Sequence, residues 1–288
     1  MDGKVAQKEN SLAITVWKGF SRQKQGVIGL IIIGTVVLIA LFAPLIAPYH
    51  PIDDVNYSKL NAAPSSEHLF GTDEYGRDIF SRVLYGARVS VSISFTTILI
   101  SATIGVMMGL ISGYLGGITD SILMRIVDGL MSFPPILFAI ALMAALGTST
   151  QNIILSLAIV YTPMFARLIR GTVLSVKERE YVDAIKVMGG SRARILFKHI
   201  LPNCMSPLLI QMTTYFAYAI LAEAALSFLG LGVPQPNPSW GNILYDGRQY
   251  MIDSPWITIF PGLAIMITVL GLNLLGDGLR DYLDPKID

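Results

Sequence analysis

The sequence predicts an all-α integral membrane protein with six transmembrane helices, and three observations carry that prediction. Of its 288 residues, 53% are hydrophobic and only 14% charged, with a mean hydropathy of +0.59, well beyond what a soluble core of this length requires. The apolar residues come in uninterrupted runs close to the roughly 20 residues that a helix needs to cross a bilayer. The cations, finally, collect between alternate runs, as the positive-inside rule demands of a multi-pass chain.

The first window covers about residues 26–47, between Lys24 and Asp53. It is too long for a signal-peptide core of roughly 7 to 15 residues, so it is expected to stay as a span. The second covers about 89–112 and ends at the glycine-rich turn Gly113-Tyr-Leu-Gly-Gly117. No charge then appears between Asp128 and Arg167, and the polar stretch Gly147-Thr-Ser-Thr-Gln-Asn152 divides this run into a third span at about 121–146 and a fourth at about 153–169. The fifth lies at about 207–229 and the sixth at about 256–275. Pro134, Pro135, Pro163 and Pro261 are read as tolerated within spans, where neighbouring helices satisfy the freed carbonyls.

A cytoplasmic N-terminus places Lys4, Lys8, Lys18, Arg22, Lys24, the run from Arg167 to Lys198, and Arg280 and Lys286 inside; Lys59, Arg77, Arg82, Arg88 and Arg248 fall outside. The expected organisation is a cytoplasmic segment 1–25, a six-helix domain 26–280 and a cytoplasmic tail 281–288. External loops are expected at about 48–88 and 231–255, with a large cytoplasmic loop at about 171–203.

Several functions are excluded. A net charge of +1 gives no electrostatic footprint for nucleic acid. The single cysteine, Cys204, rules out a disulfide framework or a thiolate cluster, and His50, His68 and His199 fall on both sides of the membrane, so no metal site is expected. The chain holds no G-x-x-x-x-G-K-[ST] phosphate loop and no cofactor motif, so it carries no ATP site of its own.

The loop "DAIKVMGGSRARILFKHILPN", Asp183 to Asn203, is polar and interrupted between apolar spans. Tyr181, Ala184, Ile185 and Met188 recur at three- and four-residue intervals, which predicts a short amphipathic helix. Gly189 and Gly190 supply its stop, Ser191 caps a second short helix, and Pro202 ends that one. Periodicity leaves two readings of this hairpin open: an interfacial connector held by anionic lipid, or a docking element.

The spacing of Asp183-Ala184, Gly189 and Ile200-Leu201-Pro202 resembles the EAA signature of the membrane subunits of binding-protein-dependent ABC importers, with aspartate where glutamate is usual and Ile185 for the second alanine. The stretches "FGTDEYGRDIFSRVLYGARVS" (from Phe70), "EAALSFLGLG" (from Glu223), "PSWG" (from Pro238) and "NLLGDGLRDYLDPK" (from Asn273) are similar to the C-type permeases of dipeptide, oligopeptide and nickel importers. The resemblance implies a type I importer (MetI-like) permease fold in the cytoplasmic membrane, not itself an enzyme. It implies a homologous second permease as heterodimer partner, two cytoplasmic ATPases that bind ATP-Mg, and an extracytoplasmic solute-binding protein. Asp183, Ala184, Gly189, Gly190 and Ser191 become the coupling element that seats in an ATPase. The implied cargo is a dipeptide or oligopeptide, with a nickel chelate or glutathione as alternatives.

Glu223, an ionisable residue inside the fifth window, is assigned a structural or gating role rather than a substrate contact. Within the mixed-sign external cluster of Asp73, Arg77, Asp78, Arg82 and Arg88, Arg77 and Asp78 are assigned to binding-protein docking. Arg125 and Asp128, three residues apart, are expected to pair with each other. A secondary carrier is the competing class; it predicts coupling ions on intramembrane charges and paired internal repeats, of which Glu223 is poor support and no repeat is evident.

Overall fold

The computed structural model describes residues 19–283; Lys4, Lys8, Lys18, Lys286 and most of the two expected terminal segments lie outside the described residues. The chain is built of helices: α1 (Lys24–Ile46), α2 (Ile79–Leu115), α3 (Gly117–Met131), α4 (Pro135–Leu146), α5 (Thr150–Lys177), α6 (Glu180–Val187), α7 (Leu201–Phe228), α8 (Trp240–Gly247) and α9 (Trp256–Leu283). A short turn, Arg192–Arg194, and a π-helical stretch, Ile195–Ile200, lead into α7. Five helices are long and apolar enough to cross a membrane, and α3 with α4 makes a sixth when counted as one bent span.

That bend corrects the sequence reading. The expected continuous span at 121–146 is broken by 89° between α3 and α4. Pro135 opens α4, a position where its missing N–H is not needed, while adjacent prolines bar the preceding residues from continuing a helix. Pro163 and Pro261, by contrast, sit inside α5 and α9 as expected. Helix α3 carries Asp120, Arg125 and Asp128 and lies at 89° to α4, which joins α5 through the short 147–149 link.

Pro202 does not end the second short helix either; the chain runs through it into α7. A proline in the interior of a helix clashes with the carbonyl four residues earlier, and the π-helical turn relieves this by bonding the Leu201 N–H to the Leu196 carbonyl.

Helix α2 is longer than its apolar window, 37 residues or about 55 Å, against a hydrocarbon layer of about 30 Å. Asp78 caps its start, accepting the Ser81 backbone N–H at 2.7 Å. Its packing on α5 is the most extensive in the molecule and rests on a glycine ladder. Cβ atoms at Gly105 and Gly109 would lie 2.8 Å from the Thr162 carbonyl and 2.6 Å from the Ala166 carbonyl, and one at Gly113 would meet Val173 at 2.9 Å. The two helices run parallel with their backbones nearly touching, the arrangement that small residues at four-residue spacing permit in membranes. Ser90, Ser94, Thr97 and Ser101 continue the ladder's line toward the start of α2, all buried. Helix α1 packs antiparallel on α9 through Gly26 and Gly29 against Gly278 and Leu275.

The bundle therefore has two ends: one carries the loops 47–78 and 229–255, the other the hairpin 178–200.

Candidate functional site

At the hairpin end, α6 and the turn after it form the predicted helix-turn-helix. Val182, Ile195 and Ile200 are buried and seat the hairpin on the bundle. Asn203 donates to the Tyr181 hydroxyl at 3.2 Å and to the His199 carbonyl at 2.7 Å, joining its two arms. Gly189 has φ of +81° with open space around it, so its requirement is conformational. Gly190 is needed for room, since a Cβ there would lie 2.9 Å from the Ile185 carbonyl. The Gly190 N–H returns to that same carbonyl at 3.0 Å, a bond that seals the end of α6. Ser191 caps the next turn, its hydroxyl oxygen accepting the Arg194 N–H at 3.3 Å.

The five residues singled out in the sequence thus share one surface element. Asp183 is solvent-facing and pairs with Lys186 at 2.8 Å, and Ala184 beside it is exposed. The tip is apolar: Val187 is 89% and Met188 78% exposed. An apolar knob with an adjacent carboxylate on a rigid turn is suited to insertion into a protein cleft.

Where the hairpin joins the bundle, α5 holds the crosswise α3 through a ladder of cations. Arg167 reaches Asp128 at 2.5 Å, and Arg170 forks onto Asp120 at 2.6 and 2.7 Å. Lys177, one step further along, ties α5 to α2 instead, donating to the Gly113 carbonyl at 2.9 Å. The expected Arg125–Asp128 pair is therefore replaced by a pair between helices, because Asp128 faces α5.

At the loop end, the mixed-sign cluster is folded inward. Asp73 takes Arg77 Nε at 2.7 Å and Arg82 Nε at 3.4 Å, and Arg82 reaches on to Asp246 of α8 at 3.3 Å. Asp78 accepts the Ser81 hydroxyl at 2.8 Å and faces His68 Nδ1 at 3.0 Å. Arg77 is 6% and Asp78 3% exposed, so neither presents a charge to a passing protein; Arg88 alone of the five is exposed. Burial raises the Glu74 carboxyl above its ordinary range, with the Asp73 charge adding to the effect, and burial likewise raises Asp246 against the pull of Arg82. One Glu74 oxygen, Oε2, is buried without a hydrogen-bond partner.

Glu223 is fully buried, taking hydrogen bonds from Ser90 at 2.9 Å and Ser227 at 2.8 Å. Trp240 at the start of α8 donates its backbone N–H to Ser90 and its indole N–H to the Val83 carbonyl at 3.0 Å. The glutamate is thus the centre of a polar knot joining α2, α7 and α8. Among the described residues no cluster of ligating side chains can hold a metal ion.

One feature escaped the sequence. Pro135 and Ile136 of α4, Tyr161 and Met164 of α5, and Tyr215 and Tyr218 of α7 line an open cleft of about 350 Å³. Tyr215 packs edge-on to both Tyr161 and Tyr218 at 5.4 and 5.5 Å. Tyr218 is 52% exposed within an apolar span, and Thr214 and Gln211 lie one and two turns away along the same face of α7. None of these residues is charged, so hydropathy passed over them; the sequence signal was three tyrosines and a glutamine within apolar windows.

Known proteins match at several levels. The profile of the "binding-protein-dependent transport system inner membrane component" family matches residues 105–288, and that of the "N-terminal TM domain of oligopeptide transport permease C" matches residues 11–64. The chain is 46% identical to the dipeptide transport system permease protein DppC of Alkalihalophilus pseudofirmus, over 96% of this chain and 91% of that protein. It is 44% identical to the glutathione transport system permease protein GsiD of Escherichia coli, over 94% of this chain and 89% of that protein. In fold it is similar to a chain of the inward-facing MetNI methionine ABC transporter, with a TM-score of 0.59 at 19% identity, covering 72% of this chain and 98% of that one. The apolar spans, the hairpin between α5 and α7 and these matches lead to one conclusion: the chain belongs to the family of binding-protein-dependent transport system inner membrane components, as a permease of the peptide-transport type.

Proposed function

We propose that this permease forms half of the translocation path of an ATP-driven importer for dipeptides or oligopeptides, paired with a homologous second permease. The observation that carries this reading is the hairpin: a stiff turn with an exposed apolar tip, anchored between α5 and α7, in a chain with no phosphate loop. Work must then enter from outside the chain. Cytoplasmic ATPases that close on ATP-Mg push the hairpin through Asp183, Ala184, Gly189, Gly190 and Ser191, and the attached spans tilt between two states.

This places the hairpin, both termini and the segments 1–25 and 281–288 in the cytoplasm, in agreement with the cation distribution. The loop end then faces the solute-binding protein. Arg77 and Asp78 act there by fixing the shape of the docking loop from within, and the exposed Tyr75 and Leu69 supply its surface. Glu223 gates the outer end by tying α8 to α2 and α7. The tyrosine cleft is the chain's contribution to the cargo wall: aromatic faces and hydroxyls suit a peptide backbone without demanding one side chain.

The test is uptake into proteoliposomes holding both permeases and their ATPases, with loaded binding protein on the receptor-facing side. Labelled dialanine should accumulate only with enclosed ATP, and competition by unlabelled glutathione or a nickel chelate ranks the alternative cargoes. Accumulation driven by a proton or sodium gradient, with the ATPases omitted, would replace this reading with a secondary carrier.

A further inference from the structure

A second site lies at the hairpin end. Tyr114 and Leu115 at the close of α2, Lys177 at the close of α5, Lys186 of α6 and Arg192 of the following turn surround a cavity of about 280 Å³. Three of its five lining side chains are cationic and a fourth is a phenol. Asp183 pairs with Lys186 and offsets one of the three lining charges, while Asp120 is occupied by Arg170 and Ser112, which leaves Lys177 and Arg192 as the surplus. Lys177 uses one of its protons on the Gly113 carbonyl. The Arg192 guanidinium has no hydrogen-bond or ion-pair partner among the described residues. A pocket lined by donors, with surplus positive charge and a free guanidinium, calls for an anion with several acceptor oxygens.

We propose that this pocket binds a phosphate group, the headgroup of an anionic phospholipid in the leaflet beside the hairpin. Its position selects that source. The pocket opens where α2 ends, next to Leu115 and the 80% exposed Ile118, an apolar lip that acyl chains can cover. Basic pockets between helix ends at a membrane surface bind such headgroups, and a tyrosine at this level is the ordinary interfacial anchor. The residues come from α2, α5, α6 and the turn after it, so a bound headgroup cross-links the moving hairpin to the glycine-packed pair α2–α5. Lipid charge then sets how stiffly the hairpin follows an ATPase. The inference rests on the hairpin lying at a membrane surface, as in the function proposed above, but is independent of cargo and energy source.

The experiment counts lipids bound to the intact transporter by native mass spectrometry, comparing phosphatidylglycerol with phosphatidylcholine of the same acyl chains. One phosphatidylglycerol should bind more tightly than the rest. The double variant Lys186→Gln with Arg192→Gln should weaken it about tenfold, leaving phosphatidylcholine binding unchanged. Arg192→Gln alone, which breaks no hydrogen bond or ion pair among the described residues, should give part of that loss even if the double variant assembles poorly. Arg194→Gln, on the same hairpin outside the pocket, should give none. Displacement of the bound lipid by millimolar inorganic phosphate keeps the phosphate chemistry and assigns the site to a soluble source. Retention of the tight phosphatidylglycerol in Arg192→Gln, or an equal loss in Arg194→Gln, overturns the proposal, since only diffuse surface charge would then be at work. Because binding is read directly, failure here leaves ATP-driven uptake untouched, and failure of uptake leaves the lipid count standing.

Discussion

Ser90 of α2 donates its hydroxyl to the Glu223 carboxylate of α7 at 2.9 Å, while its oxygen accepts the Trp240 N–H of α8 at 3.2 Å. One fully buried side chain thus links three helices. Glu223→Leu should strand the Ser90 and Ser227 hydroxyls and cost about 1–3 kcal/mol for each; Glu223→Gln, which keeps an acceptor, should cost less. Thermal unfolding of the purified complex measures both. Equal stability of the leucine variant and the parent would show that the knot holds nothing.

The ladder makes a positional prediction. At Gly109 an added side chain meets the Ala166 carbonyl, and at Gly129 of α3 it meets nothing. Gly109→Leu should therefore separate α2 from α5 and destabilise by about 1–3 kcal/mol, whereas Gly129→Ala should be neutral or stabilise by up to about 1 kcal/mol. Denaturant titration in detergent distinguishes the two, and a tolerant Gly109 would refute the close packing.

In the hairpin, Gly189→Val forces a β-branched residue into φ of +81° at a local cost of about 1–2 kcal/mol. Asp183→Lys loses the Lys186 pair and reverses the charge beside the apolar tip. Both variants should insert and pair with the second permease normally. ATPase recruitment in a pull-down, or stimulation of hydrolysis by loaded binding protein, is what should fall. Full retention of both would leave the hairpin a mere connector.

The network at the loop end should respond to acid. Glu74 and Asp246 have folded-state values raised by burial, so the folded loop binds protons more readily than the unfolded chain. Stability must then rise as pH falls from neutrality toward the ordinary glutamate value of 4.5, and drop as pH climbs back through the raised values. Glu74→Gln should raise loop stability at pH 7 and flatten this dependence. Hydrogen exchange across residues 54–77, corrected for intrinsic rates, is the readout; a loop that loosens on acidification above pH 5 contradicts the burial argument.

Topology can be checked residue by residue. Ser58, Asn237 and Ser191 are all exposed, whereas the native Cys204 is buried. In a Cys204→Ala background, cysteines at Ser58 and Asn237 should react with an impermeant thiol reagent from outside intact cells, and one at Ser191 should react only after permeabilisation. The reverse pattern would invert the molecule and detach the hairpin from the ATPases.

The spans were legible because apolar length is a local property: 26–47 became Lys24–Ile46, and 256–275 lies within Trp256–Leu283. Hairpin caps were legible for the same reason, since Gly189 and Ser191 act on their immediate neighbours. What sequence could not convey was pairing at a distance. Arg77 and Asp78 look like surface charge until the loop folds over them, and Asp128 looks like a partner for Arg125 until α5 brings Arg167 closer. The Gly105, Gly109 and Gly113 spacing went unread, with Gly113 assigned to a turn, because its meaning depends on which helix it touches. The Pro134-Pro135 pair was seen and misjudged, because adjacent prolines with charge on one side act differently from a lone proline within a bundle.

The right-angle break has a consequence for how the protein enters the membrane. Helix α4 has 12 residues, about 18 Å of rise against a hydrocarbon layer of about 30 Å. A helix this short should partition poorly into lipid by itself during synthesis, and we expect it to insert only when α5 emerges. The two helices are joined by a short link, stapled at the tip by the Asn152 side chain on the Leu146 and Gly147 carbonyls at 2.8 and 2.9 Å, which would let them insert as one hairpin. Biogenesis thus depends on a link of a few residues, and glycosylation mapping of truncated nascent chains should find the 147–149 turn translocated only once α5 has been made.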